Sequence, residues 1–192
     1  VDPAAPEAAE LLAASSAANL YRFGSADWAR GLLDPEQVAG PAYFGNTAHA
    51  EDDMVSYVTD DMSDRDSWSE EQIEAVAVAL AAEAAVVDDE SLDPAIVEQG
   101  RALMADEERC GSCHHAGDNE TENGYAPDLA GWAGREWLIG IITNPNHERF
   151  YPETNDRMPS FGVAEEGGVP ALSETQIGLI ADWLRGEWYR GE

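Results

Sequence analysis

Two cysteines and a histidine stand together in Cys110-Gly111-Ser112-Cys113-His114, and the chain has no other cysteine. Thiols at this spacing can form half of a zinc site, act as a redox dithiol, or form thioethers with the vinyl groups of a c-type haem. Zinc needs a second ligand pair at suitable spacing. His115 and His147 could add nitrogens, but they are irregularly placed. A redox dithiol should open a helix after a strand, whereas the stretch before Cys110 reads as helical and strand signals are scarce. His114, directly after the second cysteine, discriminates. Two thioethers would anchor the porphyrin, and the adjacent imidazole would lie beneath the iron as proximal ligand. The expected cofactor is one covalent haem c held by Cys110, Cys113 and His114.

Electron transfer at such an iron calls for a sixth ligand. Met104, Met158 and His147 are candidates, with Met54 and Met62 far upstream. Met104 lies on the helix leading into the motif, at a position suited to core packing. Met158 lies in Asp156-Arg157-Met158-Pro159-Ser160-Phe161, a polar loop entering a proline turn, and is the expected ligand. His147 is the runner-up. A thioether favours ferrous over ferric iron and raises the potential. If Met158 did not bind, the open distal position would suit a small-ligand sensor or a peroxidase.

Helices must position these residues. Asp93-Pro94 opens a helix to about Glu108, with Ile96, Gly100, Leu103 and Met104 on one face. Trp132 to about Thr143 reads as a short helix closed by Asn144-Pro145. Ser173-Glu174-Thr175-Gln176 is a capping box that opens a last helix to about Trp188. Its Ile177, Ile180, Ala181 and Leu184 recur at the helical period.

Residues 91–192 thereby resemble a class I cytochrome c domain. The resemblance rests on Gly100, Leu103 and Met104 before the motif, Cys110 to His114, Pro127 with Leu129, Met158-Pro159, and Ala181-Asp182-Trp183-Leu184. It implies a small helical fold around one haem. It also implies that Pro127 holds its carbonyl near the proximal imidazole, and that Trp183 packs near Gly100 where the first and last helices cross. Met104 departs from the pattern, since that family often has Phe there, but it still fills an apolar site.

The first half repeats the second without its cysteines. Leu20, Trp28 and Gly31 match Leu129, Trp137 and Gly140 at an offset of 109. Met54, Tyr57 and the box Ser69-Glu70-Glu71-Gln72 match Met158, Phe161 and the later box at an offset of 104, as do Ile73, Val76, Ala77 and Leu80 with the last helix. The expected architecture is all-α: two tandem cytochrome c-like helical domains, a degenerate one over 1–87 and a haem-bearing one over 94–192. An acidic linker, 88–93, joins them. At the offset of 109 the haem motif would fall on Val1 to Ala5, which has no cysteine, so Met54 is expected to be a remnant or a core residue. A non-covalent haem on His49 and Met54 is the alternative. The volume that a porphyrin would occupy must be refilled. A helix near 6–18 and the aromatic residues Tyr21, Phe23, Trp28, Tyr43, Phe44 and Tyr57 are the candidates.

Charge limits the partners. The 192 residues carry 39 Asp+Glu against 10 Lys+Arg, a formal net charge of -29, and every cation is an arginine. Nucleic acid and anionic membrane surfaces both need a basic patch, so neither is expected. Twenty acidic residues lie in 1–90 and 19 in 91–192, a spread that suits adaptation to high salt better than one acidic docking face. No run of apolar residues is long enough to cross a bilayer. The chain begins at Val1 without a signal peptide, as expected of a processed or excised piece.

Phe23-Gly24-Ser25-Ala26-Asp27-Trp28-Ala29-Arg30-Gly31-Leu32-Leu33-Asp34-Pro35, followed by Tyr43-Phe44-Gly45-Asn46-Thr47, is similar to the cytochrome extensions fused behind cytochrome b in some bacterial bc-type quinol oxidising complexes. That resemblance implies a periplasmic or otherwise extracytoplasmic electron-transfer module, not an enzyme in itself, tethered through an upstream membrane region. Its donor would be a Rieske centre or another c haem, and its acceptor a soluble carrier or a terminal oxidase. The first half would then serve as a structural or docking module whose removal leaves the haem unaffected.

Overall fold

Four of the α-helices among the described residues open on a capping side chain, Ser25, Ser69, Asp93 or Ser173. The computed structural model describes residues 1–64, 66–85, 92–116, 126–164 and 168–187. The helices are α1 (Ala8–Ala14), α2 (Ala26–Leu32), α3 (Asp53–Ser56), α4 (Glu70–Ala84), α5 (Pro94–Ala105), α6 (Arg135–Thr143) and α7 (Glu174–Leu184). The fold is all-α, with no strand among the described residues. Ser69 and Ser173 each close a capping box, taking the amide of Gln72 or Gln176 on the hydroxyl while that glutamine accepts from the serine amide. Asp93 caps α5 through Ala95 N, with Pro94 in the first turn. The acidic linker and Trp188 lie mostly outside the described residues, as does Tyr125.

The main helix pair is α4 against α5. Helix α4 is buried nearly all round, at Ala75, Val76, Ala77, Val78, Ala79, Leu80, Ala81 and Ala84, because α2 covers one side and α5 the other. Alanine at 75 and 79 lets the backbones approach closely. A β-carbon added at Gly100 would overlap the Ala75 carbonyl and lie 2.6 Å from Ala79 Cβ. The buried face of α5 is Val97, Gly100 and Met104, and Ile96 faces solvent. Gly100 thus lies against α4, not beside Trp183 as the cytochrome resemblance implied; Trp183 is 62% exposed. Helix α7 packs on α6 through Ile177, Gly178 and Ala181. Its Leu179 and Trp183, which match Ala75 and Ala79 at the offset of 104, are too bulky for such a close crossing and remain exposed.

The two halves share local geometry. Arg22 and Gly24 have φ of 57° and 86°, and their counterparts Gly131 and Ala133, 109 residues on, have φ of 64° and 56°. Each left-handed pair turns the chain into a helix, α2 or α6. The indole of Trp28 then donates to Asn19 O at 2.6 Å, and that of Trp137 to Asp128 O at 2.9 Å. Gly31 and Gly140 leave space for the rings of Tyr43 and Phe150.

One apolar core draws on both halves, from Ala29, Val58, Met62 and Trp68 to Trp132, Trp137 and Ala181. Phe23 bridges them, its ring centroid 4.8 Å from Trp28 and 4.9 Å from Trp132. The core of the first half is filled by Trp68, Met62, Val58, Val38 and Tyr43. Helix α1 contributes only Ala8, and Tyr21 is exposed, so neither refills that volume as expected. Of the two large apolar residues of α1, Leu11 is 48% exposed and Leu12 only half-buried.

Candidate functional site

The end of α5 delivers the Cys110–His114 segment. Asp106 stops the helix in extended backbone, and its carbonyl accepts from Arg109 N at 2.9 Å and Gly111 N at 3.0 Å. A short helical turn, Cys110–Ser112, follows. The Cys110 carbonyl accepts from Cys113 N at 3.2 Å and His114 N at 2.9 Å. This turn holds the two thiols and the imidazole on one tight loop. Burial pushes the Cys110 thiol up to about 12.

His114 and Pro127 come together. Nδ1 of His114 lies 2.7 Å from the Pro127 carbonyl oxygen. A carbonyl can only accept, so Nδ1 carries the proton and donates, and the lone pair is on Nε2. Burial holds this imidazole below the ordinary histidine value, the Pro127 bond working the other way. A neutral ring with Nε2 available is the form that ligates a metal, and a carbonyl partner on the other nitrogen sets its orientation. The Pro127 loop is itself fixed. Leu129 N donates to His115 O at 2.8 Å, Asp128 N to Arg149 O at 3.0 Å, and Arg149 pairs with Asp128 at 3.0 Å.

Met158 lies half-buried on the loop between α6 and α7. Asn155 donates through Nδ2 to the Met158 carbonyl at 2.9 Å and to Asn146 Oδ1 at 3.0 Å. The other candidates are placed differently. Met104 and Met62 are fully buried core residues, and Met54 packs partly buried against the core. His147 is exposed, with Nδ1 accepting from Arg149 N at 3.2 Å. His49 has Nδ1 2.6 Å from Asp52 Oδ2, and its ring stacks on Tyr151 at 5.7 Å between centroids. Among the described residues, no three of His, Cys, Asp or Glu gather to hold a metal ion.

No protein-family model, curated protein or solved structure matches this chain.

Haem c, the group the sequence implies, can be weighed against these donors. Two thiols on one turn and an imidazole with Nε2 available are donors of the kind that would hold a haem c through its vinyl groups and its iron, and Met158 lies on a separate loop.

The sequence reading passed over the residues that hold this segment to the first half. The Arg109 guanidinium lies 4.4 Å from the ring centre of Trp68, and its Nη1 donates to Ser67 O at 2.6 Å. Trp68 Nε1 donates to Tyr57 Oη at 3.2 Å. Contacts between positions 42 residues apart leave no local pattern to read. The one available signal was scarcity, because each arginine among 39 acids is a candidate for a specific partner.

Proposed function

We propose that this chain is an extracytoplasmic electron-transfer module carrying one covalent haem c. Cys110 and Cys113 would hold the porphyrin, and His114 and Met158 would be the axial ligands. The observation that carries this reading is the 2.7 Å hydrogen bond from His114 Nδ1 to the Pro127 carbonyl, which presents Nε2 as a ligand. When bound, the haem supplies one-electron chemistry between ferric and ferrous iron. The chain's own residues do the rest. Pro127 orients the imidazole and keeps its proton on Nδ1. Partial burial of His114 and Cys110 would make the surroundings of the iron less polar. Asn155 restrains the loop that carries Met158. If His114 and Met158 both held the iron, no substrate would bind it.

The tandem organisation belongs to the same proposal: 1–87 a haem-less cytochrome c-like unit and 94–192 the haem-bearing one. It is supported by the left-handed pairs and the tryptophan back-bonds repeated at an offset of 109. No helix among the described residues is long and apolar enough to cross a membrane. We further propose that the module serves a bc-type respiratory or photosynthetic complex. It would take electrons from a Rieske or c-type donor and pass them to a soluble carrier or terminal oxidase.

Expression with a c-type maturation system tests the reading. The expected product has one haem per chain by pyridine haemochrome, and the pigment stays with the protein in acidified organic solvent. Its ferrous form is expected not to bind carbon monoxide at neutral pH. A colourless protein overturns the proposal, and rapid carbon monoxide binding redirects it to a ligand sensor or peroxidase.

A further inference from the structure

The residues immediately before Met158 reach across to the first half. Arg157 Nη2 donates to the backbone carbonyls of Ser16 at 3.2 Å and Asn46 at 3.3 Å. Asp156 Oδ2 accepts from the Ala48 amide at 3.0 Å. The two side chains also pair with each other, Arg157 Nε with Asp156 Oδ1 at 2.8 Å and Nη2 with Oδ2 at 2.7 Å. A forked ion pair is thus docked on three backbone groups from two separate turns of the haem-less half. Nη2 has two N–H groups for three acceptors, so the Ser16 and Asn46 carbonyls share one of them, while Nε gives the carboxylate its second bond. The backbone acceptors belong to fixed turns: Thr47 N bonds Phe44 O at 2.9 Å, and the Asn46 side chain bonds Leu12 O at 2.9 Å.

We propose that the haem-less half acts as a clamp on the distal ligand loop, with Asp156 and Arg157 as positioning residues that keep Met158 in place. The clamp rests on the reading of Met158 as sixth ligand. It gives residues 1–68 a part in the redox site, where the sequence suggested a separable module. Arg157 and Asp156 are partly open to water, so their bonds add little to global stability. Their effect falls on local opening, since the loop cannot lift from the iron without breaking all of them.

The test uses the full haem-loaded chain. Imidazole binding to the ferric protein is rate-limited by release of the methionine, so its rate reads the opening. Arg157→Ala is expected to keep one haem per chain and to bind imidazole about tenfold faster, the factor that about 1.4 kcal/mol provides. The weak far-red band of methionine-ligated ferric haem should fall in parallel. Arg157→Lys should recover only part of the effect, because it keeps the charge and loses the fork. Arg135→Ala, which breaks the Arg135–Asp182 pair of α6 and α7, should leave the rate unchanged. If Arg157→Ala gives no holoprotein, Arg157→Gln is read in the same way. An unchanged rate in the Arg157 variants overturns the clamp and leaves methionine ligation standing. Equal acceleration by Arg135→Ala overturns it as general loosening. A wild-type protein without the far-red band overturns the ligation reading, and the clamp with it.

Discussion

Gly100 of α5 lies against the backbone of Ala75 in α4, with no room for a β-carbon between them. The contact joins the helix that leads to Cys110 with the last helix of the first half. The position equivalent to Ala75 in α7 is Leu179, which stays 64% exposed. The helix that leads into the Cys110–His114 turn is therefore built onto the first half.

Substitution at this crossing should be costly. Gly100→Val would force α4 and α5 apart and is expected to destabilise the protein by at least about 2 kcal/mol, as overpacking of a tight contact does. Trp183→Ala removes a mostly exposed ring and should cost less than about 1 kcal/mol. Urea unfolding of both variants checks the pair. The reverse order would restore the α5–α7 crossing that the cytochrome resemblance implied.

Removal of residues 1–86 should not leave residues 94–192 properly folded. It strips α4 from Val97, Gly100 and Met104, and removes Ser67 and Trp68 from Arg109. The fragment is expected to be poorly soluble, or to show a weakened far-red band when loaded. Independent folding with an unchanged spectrum would contradict the shared core.

Acid stability carries a small, signed contribution from Glu74. The Arg30 guanidinium, bonded at 2.6 and 2.7 Å, holds this carboxyl below the usual carboxylate value. A depressed folded value stabilises the fold above the unfolded value, and that contribution is lost as pH falls through the folded one. Both side chains are 42% exposed, so the pair is worth under about 1 kcal/mol. Glu74→Gln should lower the melting temperature slightly at neutral pH. The difference should vanish once pH lies below the folded carboxyl value.

Salt should stabilise the chain. Ten arginines cannot neutralise 39 carboxylates, even though Arg22, Arg30, Arg101, Arg135, Arg149, Arg157 and Arg185 all pair with acids. The remainder repel, and added ions screen that repulsion. Thermal melts should rise steadily toward molar salt, and a flat response would remove the high-salt reading of the composition.

The sequence alone determined what is local. Ser69 with Gln72, Ser173 with Gln176, and Asp93 with Pro94 each act within three residues, so their capping bonds could be read from residue order. The Cys110–His114 turn is local in the same sense. The partners of the apolar faces were decided by tertiary structure. Periodicity marks Gly100 as facing inward but says nothing of which of two repeated helices it meets. That choice depended on side-chain size at matching positions, Ala75 and Ala79 in α4 against Leu179 and Trp183 in α7, since close backbone approach needs small residues on both sides. The reach of Arg157 to Ser16 and Asn46 is likewise a matter of three-dimensional placement, because no spacing rule links groups 141 and 111 residues apart.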